Sequence, residues 1–369
     1  MKPFAYFLCI LVVILLVASP WLLLSYFEKL PEEPYFQGIL HMWHISDWRT
    51  GGSSAYTFLE NRIKQYEAQN PHVFIELASY TPEKAAKALA DGQQPDIISY
   101  PCGTEPGFAL ASLPHQSFLM QIGEDNAYPY MFGGYCLLVN NDLLSENGVD
   151  IYEGWGIRPD SLLAAAELGA AFDAEEGYSS LPALALHAYP PAPKPNTSTF
   201  GEPEPPNAML GLKAAYTGGL DAFAKGEIAV LIASHRQLFE ASERYTQGEC
   251  PSFTAYAIGG YTDMAQLVSI AQQKDDELRQ KTCEEFAAYL VSPSSQKKLE
   301  ALGVFPSISI PDMYAENDAL SAVYEQLCTA GCFVTPDKRQ ALDALAMDVY
   351  GGSEISLHKL RRLLGAAGS

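Results

Sequence analysis

The chain of 369 residues is poor in basic side chains, with 23 Lys and Arg against 44 Asp and Glu and a formal net charge of −21. A surface of this charge repels nucleic acid and anionic lipid headgroups, so we expect no nucleic-acid partner. Charged residues of both signs make up only 18% of the chain and hydrophobic residues 48%. This composition is typical of a globular protein and excludes a highly charged, disordered chain.

The sequence also lacks the short motifs of common catalytic and nucleotide-binding sites. It contains no Gly-x-Ser-x-Gly elbow, no His-Glu-x-x-His pair, no Walker loop and no Cys-x-x-Cys pair. His41 and His44 are three apart on a predicted strand, which directs them to opposite faces and disfavours a shared metal. We therefore predict a protein that is not an enzyme and that uses neither a cofactor nor a metal.

A compact cysteine framework is missing as well. Seven cysteines occur, and only Cys9 falls within the first 27 residues. An even number in an exported chain permits disulfides, but the wide spread of these six resembles no known framework. Free buried thiols and at least one disulfide are both open interpretations.

Residues 4–27 contain no charged side chain. A helix of that length would be about 36 Å long, enough to span a bilayer, whereas the apolar core of a signal peptide is shorter. We expect residues 1–27 to form an uncleaved membrane anchor, with a cleaved signal peptide as the alternative. Lys2 favours a cytoplasmic N-terminus, which places the rest of the chain outside the cytoplasm. Residues 28–38 form a polar, proline-bearing stalk.

Beyond the stalk, apolar periodicity alternates between strand and helix, the pattern of a wound α/β fold. We predict strands at 39–45, 72–80, 96–100, 135–139, 228–234, 253–258 and 267–271. We predict helices at 53–69, 81–91, 143–147 and 161–172, and a mainly helical region from residue 275 onward. The proline-rich segment 189–206 is predicted to be a surface loop.

Eight segments lie in the order typical of one family. The most distinctive is Gly92–Ile98, which resembles the pattern Gly-x-x-Pro-Asp-Ile/Val. The others are Leu40–His44, Phe58–Pro71, His72–Glu76, Gly134–Leu144, Phe223–Val230, Glu284–Gly303 and Gly351–Leu360. Together they resemble the extracellular solute-binding proteins of ABC importers, the carbohydrate-binding type that includes maltose-binding protein. The resemblance covers most of residues 39–365, whereas 150–222 matches poorly.

The resemblance implies an α/β, two-lobed, periplasmic-binding-protein-like (type II) fold with an interlobe cleft, after an N-terminal transmembrane helix. The N-terminal lobe would take residues 39–132 plus 262–306, and the C-terminal lobe 133–261 plus 307–369. The expected role is to bind a sugar or short oligosaccharide outside the cytoplasm, as a monomer attached to the cell membrane. Hinge closure would then deliver this small-molecule ligand to ABC permease subunits in the membrane.

Aromatic and polar residues near the predicted strand ends form the candidate site. Aromatic rings stack on the apolar faces of sugars, and wound sheets bind ligands beyond the carboxyl ends of their strands. These criteria and the resemblance select Trp43, His44, Asp47, Trp48, Tyr100, Tyr135, His235 and Tyr261.

Within this set we expect Trp43, His44, Tyr100 and Tyr135 to line one cleft, with Trp43 stacked on the ligand. Ordinary core packing is the alternative for each of these rings. His235 stands where the family often has the tryptophan of a Gly-x-Trp sequence, a departure that weakens the argument for sugar stacking.

Two other roles are compatible with the sequence. A membrane-anchored ligand sensor for a signalling kinase would keep the same fold. A carbohydrate-active enzyme would need a pair of carboxylates, and no spacing among the 44 acidic residues singles out such a pair.

Overall fold

The computed structural model describes residues 35–122, 126–150, 152–153, 156–157, 159–172, 218–330, 332–333, 341 and 344. Two compact units are distinct, residues 1–37 and 38–369, and every element named below belongs to the second. The predicted anchor, the stalk up to residue 34, the loop 189–206 and the segment Gly351–Leu360 lie outside the described residues. Among the helices of the described residues, none is long and apolar enough to cross a membrane.

The first part of the chain alternates strands and helices as predicted. Its elements are β1 (Gly38–Ile45), α1 (Ala55–Gln69), β2 (Val73–Tyr80), α2 (Pro82–Ala90), β3 (Ile97–Pro101), β4 (Met120–Gln121) and β5 (Tyr128–Phe132). Local capping sets the helix starts, because the side chain of Ser54 accepts from the Thr57 N–H and that of Thr81 from the Lys84 N–H. The sequence did not predict β5.

The second part of the chain is more mixed. Its elements are β6 (Tyr135–Asn140), α3 (Asn141–Asn147), β7 (Tyr152–Glu153), β8 (Gly156–Ile157), α4 (Pro159–Glu167), β9 (Ala170–Phe172), α5 (Gly219–Ala224), β10 (Val230–Ser234), α6 (His235–Thr246), β11 (Phe253–Ile258), β12 (Ala265–Ile270), α7 (Glu277–Leu290), α8 (Pro293–Gln296), a 3₁₀ helix (Lys297–Leu302), α9 (Asp318–Ala330) and β13 (Cys332–Phe333). The predicted helix 161–172 is wrong at its end, because α4 stops at Glu167 and Ala170–Phe172 pairs with β10 as a parallel strand.

The first sheet has five strands in the order β2-β1-β3-β12-β5. Strands β1, β2 and β3 run parallel, and β12 is antiparallel to both β3 and β5. Every residue of β3, β5 and β12 is buried, as expected where helices cover both faces of a sheet. Helix α1 packs against β2 and helix α7 against β12.

The second sheet has four strands in the order β11-β6-β10-β9. Strand β6 is antiparallel to both β10 and β11, whereas β9 and β10 are parallel. Helix α6 packs against β10, and helix α9 packs against β11. The side chain of Gln326 on α9 also accepts from the Ala257 N–H at 2.9 Å, which ties the helix to the sheet.

Three segments, called here the crossing segments, connect elements of the two sheets. The first is Gly133-Gly134, between β5 and β6, and the second is 259–264, between β11 and β12. The third is 303–317, which leads from the 3₁₀ helix beside the first sheet to α9 beside the second. Phe305 on the third segment exchanges both backbone hydrogen bonds with Phe132, at 2.8 and 2.9 Å, so this segment lies next to the first.

Asp96, the aspartate of the Gly-x-x-Pro-Asp-Ile segment, is buried and connects several elements through its carboxylate. One carboxylate oxygen accepts from the His41 N–H at 2.8 Å, and the other lies 3.0 Å from Gln273 Nε2 and 3.3 Å from Arg279 Nη1. These bonds join β1, the start of β3 and α7. Since a buried carboxylate is costly without partners, this set of contacts explains why the position suits aspartate.

Five cysteines are free thiols in the structure: Cys102, Cys136, Cys250, Cys283 and Cys328. The first four are buried. Burial raises the pKa of the Cys136 and Cys283 thiols, so both are held in the protonated form. The sequence left two interpretations open, free buried thiols and at least one disulfide. The first interpretation applies to these four cysteines.

Candidate ligand-binding cleft

The first and second crossing segments are bonded to each other. The Gly133 N–H donates to the Met264 carbonyl at 2.7 Å, and the Thr262 hydroxyl donates to the Gly133 carbonyl at 2.9 Å. The same hydroxyl accepts from the Met264 N–H at 3.1 Å. The Gly134 carbonyl accepts from the His235 N–H at 2.8 Å. The start of α6 is therefore fixed to the junction between the two sheets.

Tyr135, the first residue of β6, is held at this junction. Its hydroxyl donates to Asp263 Oδ1 at 2.8 Å, and both residues are buried. The Asp263 carbonyl also accepts from the Cys102 thiol at 2.7 Å. Tyr261, two residues earlier, is buried on the second crossing segment. Tyr135 and Tyr261 thus lie where the chain passes between the sheets.

Trp48 and His235 meet across the two halves of the structure. Trp48 follows β1 of the first sheet, and His235 begins α6 after β10 of the second. Their ring centroids are 5.5 Å apart in an edge-on arrangement, and His235 Nε2 lies 3.2 Å from the Arg49 carbonyl oxygen. His235 also has the Phe305 ring at 6.5 Å. Asp47, next to Trp48, is exposed to solvent.

Glycines allow the loop after β1, residues 46–53, to pack closely against its neighbours. A Cβ at Gly51 would lie 2.9 Å from the Cβ of Phe239 on α6, and one at Gly52 would overlap the Ala301 carbonyl. The Gly52 N–H donates to the Leu302 carbonyl at 2.8 Å. A Cβ at Gly303 would lie 2.6 Å from the ring of Phe239. The loop is therefore held between α6 and the end of the 3₁₀ helix.

His44 lies in a buried polar network inside the first sheet. Its Nδ1 is 2.9 Å from Ser99 Oγ, which is 2.8 Å from the Tyr130 hydroxyl and accepts from Gln266 Nε2 at 2.9 Å. Gln266 Nε2 also donates to the Ile45 carbonyl at 2.7 Å. Loss of hydration on burial lowers the pKa of His44 to about 4, so the imidazole is neutral at physiological pH.

The remaining candidates are buried elsewhere in the first sheet. Trp43 is 5% exposed and packs on Tyr80 at 4.7 Å between ring centroids. Because neighbouring residues of a strand point to opposite faces, Trp43 and His44 have separate surroundings. Tyr100 is buried in β3, and its hydroxyl lies 2.9 Å from Ser269 Oγ.

Sequence reasoning missed several residues of this region. Asp263, Ser99, Tyr130 and Gln266 were not selected, although each bonds to a candidate or to its immediate partner. The Gly51-Gly52 pair of the loop 46–53 was also missed. Unlike the four residues above, it carried a local signal in the sequence, since adjacent glycines after a strand indicate close backbone approach. Within the described residues, no group of three or more His, Cys, Asp or Glu side chains is arranged to hold a metal ion.

No protein-family model matches the sequence, and no curated protein matches it either. Solved structures do match. The cyclic alpha-maltosyl-1,6-maltose binding protein from Arthrobacter globiformis has a TM-score of 0.61 at 14% identity, covering 90% of this chain and 97% of that one. An ABC substrate-binding protein from Listeria monocytogenes, in complex with cycloalternan, gives 0.54 at 15% identity, with 90% and 98% covered. The GacH receptor of Streptomyces glaucescens, solved unliganded and with acarbose, gives 0.56 at 14%, with 90% and 97% covered.

These likenesses, together with the two mixed sheets and their crossing segments, define the class of fold. The chain has the two-lobed, type II periplasmic-binding-protein fold that the sequence predicted. At this level of identity the likeness shows the fold alone, and a function must be argued from the residues of the candidate site.

Proposed function

We propose that this protein binds a sugar or short oligosaccharide outside the cytoplasm and delivers it to an ABC importer, with no catalytic step. The observation that carries the proposal is the arrangement of two mixed α/β sheets joined by three crossing segments. Such a junction permits hinge closure around a ligand. The structures with this fold named above are a maltose-derivative binding protein, a cycloalternan complex and an acarbose receptor, all of them binding proteins for oligosaccharide-like ligands.

We assign the lobes from sheet membership and the resemblance. The N-terminal lobe takes residues 39–132 plus 262–306 and contains the first sheet; the C-terminal lobe takes 133–261 plus 307–369 and contains the second. The contact between the loop 46–53 and α6 then lies between the lobes, beside the crossing segments. We place the mouth of the cleft there.

Among the candidate residues, Asp47, Trp48 and His235 belong to that mouth. The crossing segments next to this mouth carry Tyr135 and Tyr261. The strands of the first sheet that lie beneath it carry Trp43, His44 and Tyr100. An aromatic ring, a carboxylate and buried hydroxyl groups suit a neutral polyol with apolar C–H faces. The net charge of −21 disfavours an anionic ligand.

We propose that residues 1–27 hold the protein at the outer face of the cytoplasmic membrane, where a monomer meets the permease subunits. The uncharged run 4–27 and Lys2 support this placement. Mass spectrometry of the membrane fraction tests it, because a mature N-terminus near residue 20 would show that the segment is cleaved.

A thermal-shift screen of the purified full chain against a carbohydrate library tests the binding role. A ligand present at 100 times its dissociation constant should stabilise the folded state by about 2.7 kcal/mol. Acidic sugars of matched size serve as controls and should give no shift. The absence of any shift across neutral mono- and oligosaccharides would refute carbohydrate binding.

Product analysis separates binding from catalysis. The best ligand, incubated with the protein and analysed by chromatography, should be recovered unchanged. Hydrolysis or elimination products would instead support the carbohydrate-active enzyme that the abundant carboxylates allow.

A further inference from the structure

One face of helix α6 contacts the loop 46–53 at two points. His235 and Phe239 lie one turn apart on that helix, so their side chains lie on the same face. His235 Nε2 is 3.2 Å from the Arg49 carbonyl oxygen, and Phe239 lies against Gly51. Since α6 packs on the second sheet and the loop follows β1 of the first, this face is a contact between the two halves of the structure.

Phe239 lies between two glycines that leave no space for a side chain beside it. A Cβ at Gly51 would be 2.9 Å from the Phe239 Cβ, and one at Gly303, which follows the 3₁₀ helix, would be 2.6 Å from the ring. Nonbonded carbon atoms pack best at about 3.5–4.0 Å, so either Cβ would overlap the phenylalanine. The backbones of Gly51 and Gly303 therefore form a close-fitting socket for Phe239, called here the glycine socket.

Hydrogen bonds support both sides of this contact. Behind the socket, the Gly52 N–H donates to the Leu302 carbonyl at 2.8 Å, which holds the loop 46–53 against the 3₁₀ helix. On the other side, the first turn of α6 has a capping box, in which Ser234 Oγ accepts from the Gln237 N–H and Gln237 Oε1 accepts from the Ser234 N–H. Close-packed atoms resist compression, so the two halves cannot approach further at this point without deforming one of them.

We propose that Phe239 and the glycine socket are the stop that ends hinge closure, and that they thereby set the narrowest width of the cleft. Phe239 moves with the C-terminal lobe and the socket with the N-terminal lobe. Closure brings the ring into the socket, and opening withdraws it. The width at full closure decides which sugars contact both lobes at once, so the stop determines the smallest sugar that the cleft holds. This inference rests on the proposed carbohydrate binding by hinge closure and on the lobe assignment above.

The distance between the lobes tests the stop without any sugar. Gly51→Ala adds one methyl group to the socket, and the backbone of Gly51 has no positive φ that would disfavour alanine. Spin labels at Lys64→Cys on α1 and Glu243→Cys on α6, two exposed positions, report this distance in the full chain by pulsed electron paramagnetic resonance. We expect Gly51→Ala to lengthen the shortest populated distance by about 1–2 Å, since a 2.9 Å contact has to relax toward about 3.5–4.0 Å.

Every labelled chain carries alanine at Cys9, Cys328 and Cys332, so that the introduced thiols are the ones that react. Ser145→Thr is the control for the added methyl group, because it places one at an exposed position of α3 and should leave the distance unchanged. Melting temperatures verify that each chain is folded.

Two changes at Phe239 assign the effect to this residue. The methyl group of Gly51→Ala would also lie 3.3 Å from the Leu302 carbonyl oxygen in its own lobe. Phe239→Gly removes both the Cβ and the ring, so Gly51→Ala should lengthen the distance no further in that background. Phe239→Trp enlarges the ring from the other side of the contact and should lengthen the distance as well. It keeps the test valid if Gly51→Ala does not fold.

Maltose, maltotriose and maltoheptaose, neutral probes of increasing length, test the consequence for ligand size. A wider stop should weaken the binding of the shortest probe most, because a short sugar then loses contact with one lobe. We expect the ratio of the dissociation constants for maltose and maltoheptaose to rise about tenfold or more in Gly51→Ala, the usual effect of one methylene group in a pocket.

The outcomes are distinct. An unchanged distance in folded Gly51→Ala and Phe239→Trp would overturn the stop. A distance that Gly51→Ala lengthens equally in the Phe239→Gly background would overturn the role of Phe239. A lengthened distance with equal losses for all three probes would overturn the selection by size and leave the proposed function intact. No carbohydrate binding by the unaltered chain would overturn the proposed function and the selection by size, whereas the distances alone decide whether the stop exists.

Discussion

Acidification should destabilise the protein through one buried histidine. His44 is 2% exposed, and the groups that face its ring are neutral hydroxyls, Ser99 Oγ directly and the Tyr130 hydroxyl one bond further on. The desolvation that lowers its pKa to about 4 means that the fold accepts the neutral imidazole and resists the charged one.

The sign and size of the effect follow from linkage. The unfolded chain takes up a proton on this histidine near pH 6.5, whereas the folded chain does so only near pH 4. Between these values the unfolded state binds more protons, so the free energy of unfolding falls as the pH falls. Each pH unit contributes about 1.4 kcal/mol, which gives roughly 3 kcal/mol over the whole window. The contribution is fully present above about pH 6.5.

Urea denaturation between pH 7.5 and pH 4 measures this directly. His44→Gln lacks the titrating ring and should lose about 3 kcal/mol less than the unaltered protein over the window, whatever its offset at neutral pH. If His44→Gln shows the same pH slope as the unaltered chain, the reasoning is refuted.

Four substitutions test packing. Trp43→Ala should cost about 3–5 kcal/mol of stability because the ring is buried; a stable variant with at least tenfold weaker ligand binding would instead support stacking on the ligand, the role predicted from the sequence. Gly133→Ala should cost about 1–3 kcal/mol, since its Cβ would overlap His235, whereas Gly134→Ala, with its nearest neighbour at 3.7 Å, should change stability by less than about 0.5 kcal/mol. Arg62→Met should raise stability by about 1 kcal/mol, because this arginine is 5% exposed and its buried Nε–H has no acceptor among the described residues; an unchanged or lower urea midpoint would count against that.

The boundaries that the sequence predicted well depend on local chemistry. Ser54 begins α1 and Gly148, with φ of 65°, ends α3, and both signals lie within a few residues of the element they delimit. The error at 161–172 has a local cause too. Alanine-rich sequence favours helix, but Gly169 has φ of 113° and turns the chain, and pairing with β10 makes Ala170–Phe172 a strand.

The parts that the sequence did not predict depend on distant partners. Strand β5 contains Pro129, and a proline within a short apolar run argues against a strand. The segment is a strand because β12 pairs with it. The Tyr135–Asp263 bond joins residues 128 positions apart, and the Gln266–Ile45 bond joins residues 221 apart. No periodicity reveals such a pair. Likewise, the aromatic character of Trp43 was visible in the sequence, but its burial beside Tyr80 follows only from the pairing of β1 with β2.

Each of the two sheets has a buried thiol in it or against it, and the rate at which that thiol reacts measures how often the surrounding structure opens. Cys136 lies in β6 of the second sheet, and Cys283 lies on α7, which covers the first. Both are buried and protonated, so an alkylating reagent reaches either one only while the structure around it opens. The two modification rates, read separately by peptide mass spectrometry, report the opening free energy of each sheet in one experiment. A ligand that binds both halves should lower the modification rates of Cys136 and Cys283 alike. A ligand that orders only one half should lower only the rate of the thiol in that half.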